Sequence, residues 1–359
     1  MIWQEQPVRG EYPDMSVLAL SGVEQMRWFL RAGGPRPPIH YLTGLRPTEA
    51  GVGSSAFVMP ATKWLSSPQG LVSAGALAIL ADAVLGCAVQ TTLPPATLYT
   101  TTELTINMLR PIAADGGLLT ARGSIVHAGK SVALSDCFVF DSQGRVVAHG
   151  SSRCYIFPPF DDVPEPPTVA TWVEPSYDGP HPFEREAQGE LVPVDEWRGR
   201  SGLEILEGHA DESLPRPPIH YLTGLRPTGW SDGTCSFVLP ATQWLTPPHG
   251  NIEGGAIALV ADSAIAGAIQ TTVPAGHGYA TLDLKVYFTR PVPPDGTELT
   301  ATAEVINRGR NMAIASCRVT NSEGKKVALA SGSGLIVDRP VTSRHPIAVA
   351  DEEVAPPDD

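Results

Sequence analysis

The chain is poor in the residues that would tie it to several common chemistries. It has five cysteines in 359 residues. None forms a CxxC pair or stands at metal-ligand spacing, which argues against a zinc site or a disulfide framework. Cys137 and Cys317 fall at equivalent places in apolar strand-like runs, as small buried thiols would. A reduced, cytoplasmic setting is expected. No GxGxxG, GKS/T or HExxH pattern is present, so nucleotide and zinc chemistry lack support. Positive charge is scarce, with 25 Lys and Arg against 38 Asp and Glu and a net charge of −13. Without a basic block to offset it, a nucleic-acid partner is not expected. Nor is a membrane. The apolar run 74–89 is short for a bilayer span and holds Asp82, and Glu5, Glu11 and Asp14 precede any apolar stretch, unlike a signal peptide.

What the chain does have is a duplication. Residues 35–48, PRPPIHYLTGLRPT, recur letter for letter as residues 215–228, and the spacing of 180 then holds without a gap. The apolar stretch 73–92, SAGALAILADAVLGCAVQTT, returns as 253–272, EGGAIALVADSAIAGAIQTT, with Asp262 where Asp82 stood. A period this long in two copies means duplicated domains, not a solenoid. The expected layout is a first domain over 1–157 with an N-terminal helix, a Pro-rich acidic linker over 158–199, a second domain over 200–337, and a disordered tail over 338–359. Within the first unit, 14–31 reads as one amphipathic helix and about 42–46 and 54–59 as strands. The apolar helix follows, then strand runs at 98–109, 117–127, 132–140 and 146–157, separated by Gly, Asp and Pro turns. One apolar helix followed by an antiparallel meander is an α+β arrangement.

A long apolar helix reading G-A-x-A-x-x-A-D near its start, followed by Thr-x-(Glu/Asp)-Leu strands, Arg-Pro strand ends and a Gly-Lys or Gly-Arg turn, resembles the hotdog fold. More narrowly it is similar to the PaaI-like acyl-CoA thioesterases of the 4HBT superfamily. The resemblance covers both units. It implies two tandem hotdog domains, each a helix wrapped by an antiparallel sheet, forming an intramolecular pseudo-dimer. It also implies an acyl-CoA substrate, no cofactor beyond the coenzyme A of that substrate, and further pairing into a homodimer of double hotdogs.

Asp82 and Asp262 lead the candidate catalytic residues, because a carboxylate in an apolar helix is costly unless paired or used. Each would act as general base on water or as nucleophile on a thioester carbonyl. Gly75 and Asp82 are seven residues apart, about 10 Å along a helix at 1.5 Å per residue. An acid that far from its own helix start cannot attack a carbonyl held there, so the acid must come from the other unit. The helix starts, Ser73 with Gly75 and Glu253 with Gly255, would offer free N–H groups to a developing oxyanion. Pairing across units then sets Ser67, Ser73 and Gly75 with Asp262, and Glu253 and Gly255 with Asp82. In the second group two acids approach each other, which would raise one pKa.

Thr101 and Thr281 are candidates to orient water or the acid. Arg110, Arg290, Lys130 and Arg310, with the loop glycines Gly70 and Gly250, are candidates for holding the phosphates of coenzyme A. Many relatives read Asn-x-x-Gly-x-x-His-Gly-Gly in that loop. Here the Asn position holds Ser67 or Pro247 and the His position Ser73 or Glu253, so the usual side-chain helpers are missing. His40 and His220 read as packing residues and His249 as a weak candidate. The GxSxG match at 229–233 falls between strands and not on a strand–helix elbow, so it is dismissed. Two further readings stand beside thioester hydrolysis: a non-catalytic acyl-CoA binding or regulatory protein, favoured by the missing Asn and His, and a hotdog hydratase or dehydratase, disfavoured by the lack of a His at either helix start.

Overall fold

The computed structural model describes residues 1–31, 34–162, 165–167 and 172–343. The expected tail is thus described only to 343, and 344–359 lie outside the described residues. In the first unit the elements are α1 (Gly22–Leu30), α2 (Pro38–Thr43), β1 (Arg46–Gly51), β2 (Ser54–Pro60), α3 (Ala74–Gln90), β3 (Tyr99–Met108), β4 (Leu118–Ala128), β5 (Val132–Phe140) and β6 (Val146–Ile156). The stretch between units carries α4 (Val194–Gly199). The second unit repeats the order as α5 (Gly202–Ala210), α6 (Pro218–Thr223), β7 (Arg226–Ser231), β8 (Thr234–Pro240), α7 (Gly254–Thr271), β9 (Gly278–Phe288), β10 (Glu298–Arg308), β11 (Met312–Thr320) and β12 (Lys326–Val337).

Two early expectations change. The single helix over 14–31 breaks at Ser21, whose N–H and hydroxyl both bond Glu24 Oε2 (3.0 and 2.6 Å) in a capping box. A 3₁₀ turn, Met15–Ala19, precedes it. The strand expected near 42–46 starts only at Arg46, because Pro38–Thr43 is a helix. Pro38 sits at its first position and Gly44, at φ +76°, closes it in the left-handed conformation. The later strands fall where alternation placed them. In β5, for example, Ala133, Ser135, Cys137 and Val139 turn inward.

All twelve strands make one antiparallel sheet in the order β1-β2-β4-β5-β6-β3-β9-β12-β11-β10-β8-β7. The units join where β3 pairs with β9, in register from Glu103 opposite Tyr287 to Asn107 opposite Asp283. Glu103 braces this seam by ion pairs to Lys285 and Arg153, both 2.9 Å. Helices α3 and α7 are apolar on every face and therefore buried. They pack on each other and on the strands of their own units. By length and composition α7 could cross a membrane, but 83% of it is buried inside the protein, as befits a core helix.

The stretch between units follows the first unit's surface. Arg9 donates to the carbonyls of Gly179 and Pro180 (3.2 and 3.1 Å). Tyr41 donates to Glu174 (2.9 Å) and Trp64 to the Arg185 carbonyl (3.0 Å).

Candidate active site

The two central helices run antiparallel, and each starts against the middle of the other. A Cβ on Gly75 would lie 2.6 Å from Leu259 Cα, and one on Gly255 would lie 2.5 Å from Ile79 Cα. Only glycine permits that approach. The same crossing carries each aspartate to the opposite helix start. Gly75 N–H donates to Asp262 Oδ2 (2.9 Å), and Gly255 N–H donates to Asp82 Oδ2 (3.1 Å). The acid at each helix start therefore belongs to the other unit, as the 10 Å spacing argument requires.

On the Asp262 side there is room. A cavity of about 270 Å³ opens there, with Ser67, Ser73, Ala74, Arg110, Asp262 and Thr281 on its wall among mostly apolar neighbours such as Leu259 and Phe237. Asp262 is 1% exposed. Its Oδ2 is held by Gly75, while Oδ1 has no hydrogen-bond partner among the described residues. Burial raises its pKa to about 6, against the pull of the Gly75 N–H and the Ser73 hydroxyl. Ser73 also caps α3, its Oγ accepting from Ala76 N–H (3.1 Å).

The Asp82 side differs in its hydrogen bonding. Thr101 Oγ1 donates to Asp82 Oδ1 (3.1 Å), so both carboxylate oxygens are engaged. Glu253, 3% exposed, stands where Ser73 stands on the other side, and its Oε2 has no partner among the described residues. Burial raises the pKa of both acids, and the charge of Asp82 raises that of Glu253 further. Phe288 and Cys87 occupy the positions of Met108 and Gly267, which line the cavity on the open side. Asp82 is not on the cavity wall.

The structure separates the remaining candidates. Thr281 lines the cavity, but among the described residues it makes no bond to Asp262 like the one Thr101 makes to Asp82. Of the four basic candidates only Arg110 reaches the wall, its Nη1 donating to the Val146 carbonyl (2.6 Å). Arg290 bonds the Lys326 carbonyl on the surface (3.2 Å). Lys130 and Arg310 are exposed in the β4–β5 and β10–β11 turns, away from the wall. Gly70 and Gly250 shape the loops before α3 and α7 at φ +79° and +77° and do not line the cavity.

His220, read from sequence as a packing residue, is on the wall, whereas His40 and His249 are not. Ser231 of the GxSxG match sits in the β7–β8 hairpin, sharing a hydrogen bond with Thr234 (2.6 Å). His209 and Ser263 line the cavity and were missed by the sequence reading. Both stand where the first copy carries an apolar residue, Phe29 and Ala83, and that contrast was the available signal.

Residues 69–148 and 249–328 each match the family model described as the thioesterase superfamily. The two matches repeat the 180-residue period and enclose both central helices. The chain is a tandem member of the thioesterase superfamily. No curated protein sequence matches this thioesterase-superfamily chain.

Among solved structures it is similar to a putative thioesterase from Novosphingobium aromaticivorans, at 15% identity and TM-score 0.51, covering 80% of this chain and 97% of that one. The tesB protein of Mycobacterium avium subs paratuberculosis aligns at 13% identity and TM-score 0.50, over 84% and 98% of the two chains. A hot dog fold protein of unknown function from Alicyclobacillus acidocaldarius aligns at 14% and 0.50, over 83% and 97%. These likenesses bear on the fold alone. They span nearly the whole of double-length proteins, so both hotdog domains of this superfamily member take part.

Proposed function

We propose that the protein is an acyl-CoA thioesterase whose working site is the composite one at Asp262. The observation that carries this reading is the buried carboxyl of Asp262, its Oδ1 without a partner among the described residues, on the wall of a mostly apolar cavity at the start of the other unit's helix. An acyl group would occupy the cavity with its thioester carbonyl at the α3 N-terminus. Asp262 would take a proton from a water molecule, and the resulting hydroxide oxygen would bond to the carbonyl carbon. The negative charge passing to the carbonyl oxygen would be stabilised by the Ala74 N–H, since those of Gly75 and Ala76 are taken by Asp262 and Ser73, and by the helix dipole. Collapse of that intermediate breaks the C–S bond, and the departing thiolate of coenzyme A takes up the proton. A carboxyl with a pKa near 6 suits a general base at neutral pH. Arg110, at the wall, would meet a phosphate of coenzyme A.

The superfamily assignment supports the reaction class, and the asymmetry of the two sites supports the choice of acid. A second reading, an acyl-CoA binding protein without turnover, is favoured by one observation: Ser67 and Ser73 stand where many relatives carry Asn and His.

One experiment separates these readings. Free-thiol release is followed from short, long and arylacetyl-CoA esters with wild type, Asp262→Asn and Asp82→Asn. The proposal expects release that drops on the order of 100-fold or more in Asp262→Asn and stays within a few-fold of wild type in Asp82→Asn. Release unchanged in Asp262→Asn would sink it. Tight binding of esters with no release from any of them would establish the second reading.

A further inference from the structure

The cavity beside Asp262 follows one face of α7. Leu259, Asp262, Ser263, Ala266, Gly267 and Gln270 line it, recurring at the three- and four-residue steps that put side chains on one side of a helix. Between Gly255 and Thr271 every residue but Ser263 and Ala266 is buried, and those two line this space. Apolar side chains of the second unit, Leu206, Ile219, Leu225 and Phe237, complete this part of the wall.

The two ends of that face differ. Toward the α3 start, the loop before α3 and the residue after β3 supply Ser67, Gln69 and Leu109, which keep exposure to solvent, Leu109 at 45%. At the Gln270 end, α5 begins tight against α7. The Gln270 amide donates to the Gly202 carbonyl (3.2 Å), and the Gly202 N–H donates to the Val273 carbonyl (2.8 Å). A Cβ on Gly202 would lie 1.8 Å from the Gln270 carbonyl oxygen, so nothing passes between the two helices there. Gln270 and Leu206 are 6% and 3% exposed. A carbonyl at the α3 start thus lies near the mouth, and Gln270 forms the floor.

We propose that this face of α7 is a ruler for a straight aliphatic acyl group of about eight to ten carbons, with Ala266 and Gln270 as its specificity-determining residues. This inference rests on the reading of the cavity as an acyl-CoA site. Asp262 and Gln270 are eight residues apart, about 12 Å along a helix at 1.5 Å per residue. An extended chain of C–C bonds of about 1.5 Å advances about 1.25 Å per carbon, so about eight to ten carbons span that length. A shorter chain leaves apolar wall uncovered. A longer one meets Gln270, whose amide is already bonded to the start of α5. Beyond Asp262 the α7 face carries no charged residue, so a chain ending in a second carboxylate would be buried without a partner.

The test measures kcat/KM for straight saturated acyl-CoA esters of four to sixteen carbons in wild type, Ala266→Leu and Gln270→Ala, with melting temperatures recorded to confirm folding. In wild type kcat/KM is expected to rise about fourfold per added methylene, the effect of burying one CH₂, and to stop rising at about eight to ten carbons. The ratio of the eight-carbon to the four-carbon ester is then on the order of 100. Ala266 stands four residues past Asp262, about 6 Å along the helix. A leucine there blocks the channel half-way, and the ratio falls to about 1 or below. Gln270→Ala lowers the floor and moves the optimum to longer chains. A wild-type profile without a length limit overturns the proposal, as does an optimum unmoved in Ala266→Leu. Should that variant fail to fold, an optimum unmoved in Gln270→Ala overturns it instead. If no ester is hydrolysed, the same lengths are compared by the Kd of non-hydrolysable thioether analogues. A binding optimum that shortens in Ala266→Leu would then uphold the ruler while the thioesterase reading fails. No such shift, or no binding at any length, would overturn both.

Discussion

The two composite sites are built from one repeated sequence, yet a cavity borders Asp262, whose Oδ1 has no partner among the described residues, while both oxygens of Asp82 are hydrogen-bonded. Each has a glycine-started helix, an aspartate from the opposite helix and a bond of about 3 Å between them. The difference lies in a handful of neighbours. Ser73, Met108 and Gly267 line the cavity beside Asp262, and the equivalent positions on the other side carry Glu253, Phe288 and Cys87. The shared part is what the crossing of two buried helices demands. A change that would disturb both sites at once, such as a side chain on Gly75 or Gly255, is barred by contacts of 2.6 and 2.5 Å to the opposite backbone. The residues free to differ are those beside the two aspartates. Duplication within one chain thus allows one site to drift while the pseudo-dimer frame keeps the other in shape.

The largest effect is expected from moving the residue that separates the sites. Ser73→Glu would place a carboxylate beside Asp262 and fill the cavity mouth, and thiol release should fall on the order of 100-fold or more. The reverse change, Glu253→Ser, should leave release within a few-fold of wild type, because it leaves Asp262 and its cavity untouched. A comparable loss in both variants would erase the distinction.

A smaller effect is expected from acidity. Asp262 must be ionised to accept a proton, and its pKa lies near 6. The pH profile of kcat/KM should therefore fall about tenfold per unit below pH 6 and level off above it. The same limb should persist in Asp82→Asn, since Asp82 plays no part in it.

The smallest effect concerns stability. Burial and the neighbouring Asp82 raise the Glu253 pKa in the folded protein well above its ordinary value. A raised carboxyl pKa means that the folded state holds a proton the unfolded chain releases. The associated stability is present below the unfolded value and is lost as pH rises through the folded one. Glu253→Gln cannot ionise. Its Tm should match wild type near pH 4 and exceed it at pH 8 by roughly 1–2 °C, the response of a chain of this length to about 1 kcal/mol. A Tm difference independent of pH would show that Glu253 does not carry this titration.

The frame of this arrangement was legible in the sequence. Two identical 14-residue stretches and a gapless spacing of 180 were enough to fix the duplication. Helix rise alone, applied to Gly75 and Asp82, required the acid to come from the other unit. The approach of Glu253 to Asp82 followed from the same pairing. Short-range signals were harder to weigh. The Ser21 capping box and the Pro38 to Gly44 bracket were both present, yet apolar residues around 14–31 and 42–46 outweighed them in the reading. The basic candidates Arg290, Lys130 and Arg310 went astray because strand ends and turns look alike in sequence whether they border a cavity or face solvent. His209 was hidden for a different reason: a lone histidine in an amphipathic helix gains meaning only when the cavity beside it is known.

The most direct test of the account is the stoichiometry of ligand binding. A non-hydrolysable thioether analogue of an acyl-CoA is titrated into the full chain by calorimetry. One analogue per chain, with the heat lost in Ser73→Glu and retained in Glu253→Ser, is the predicted result. Two equivalent analogues per chain would contradict it, because the Asp82 side would then hold a working cavity of its own.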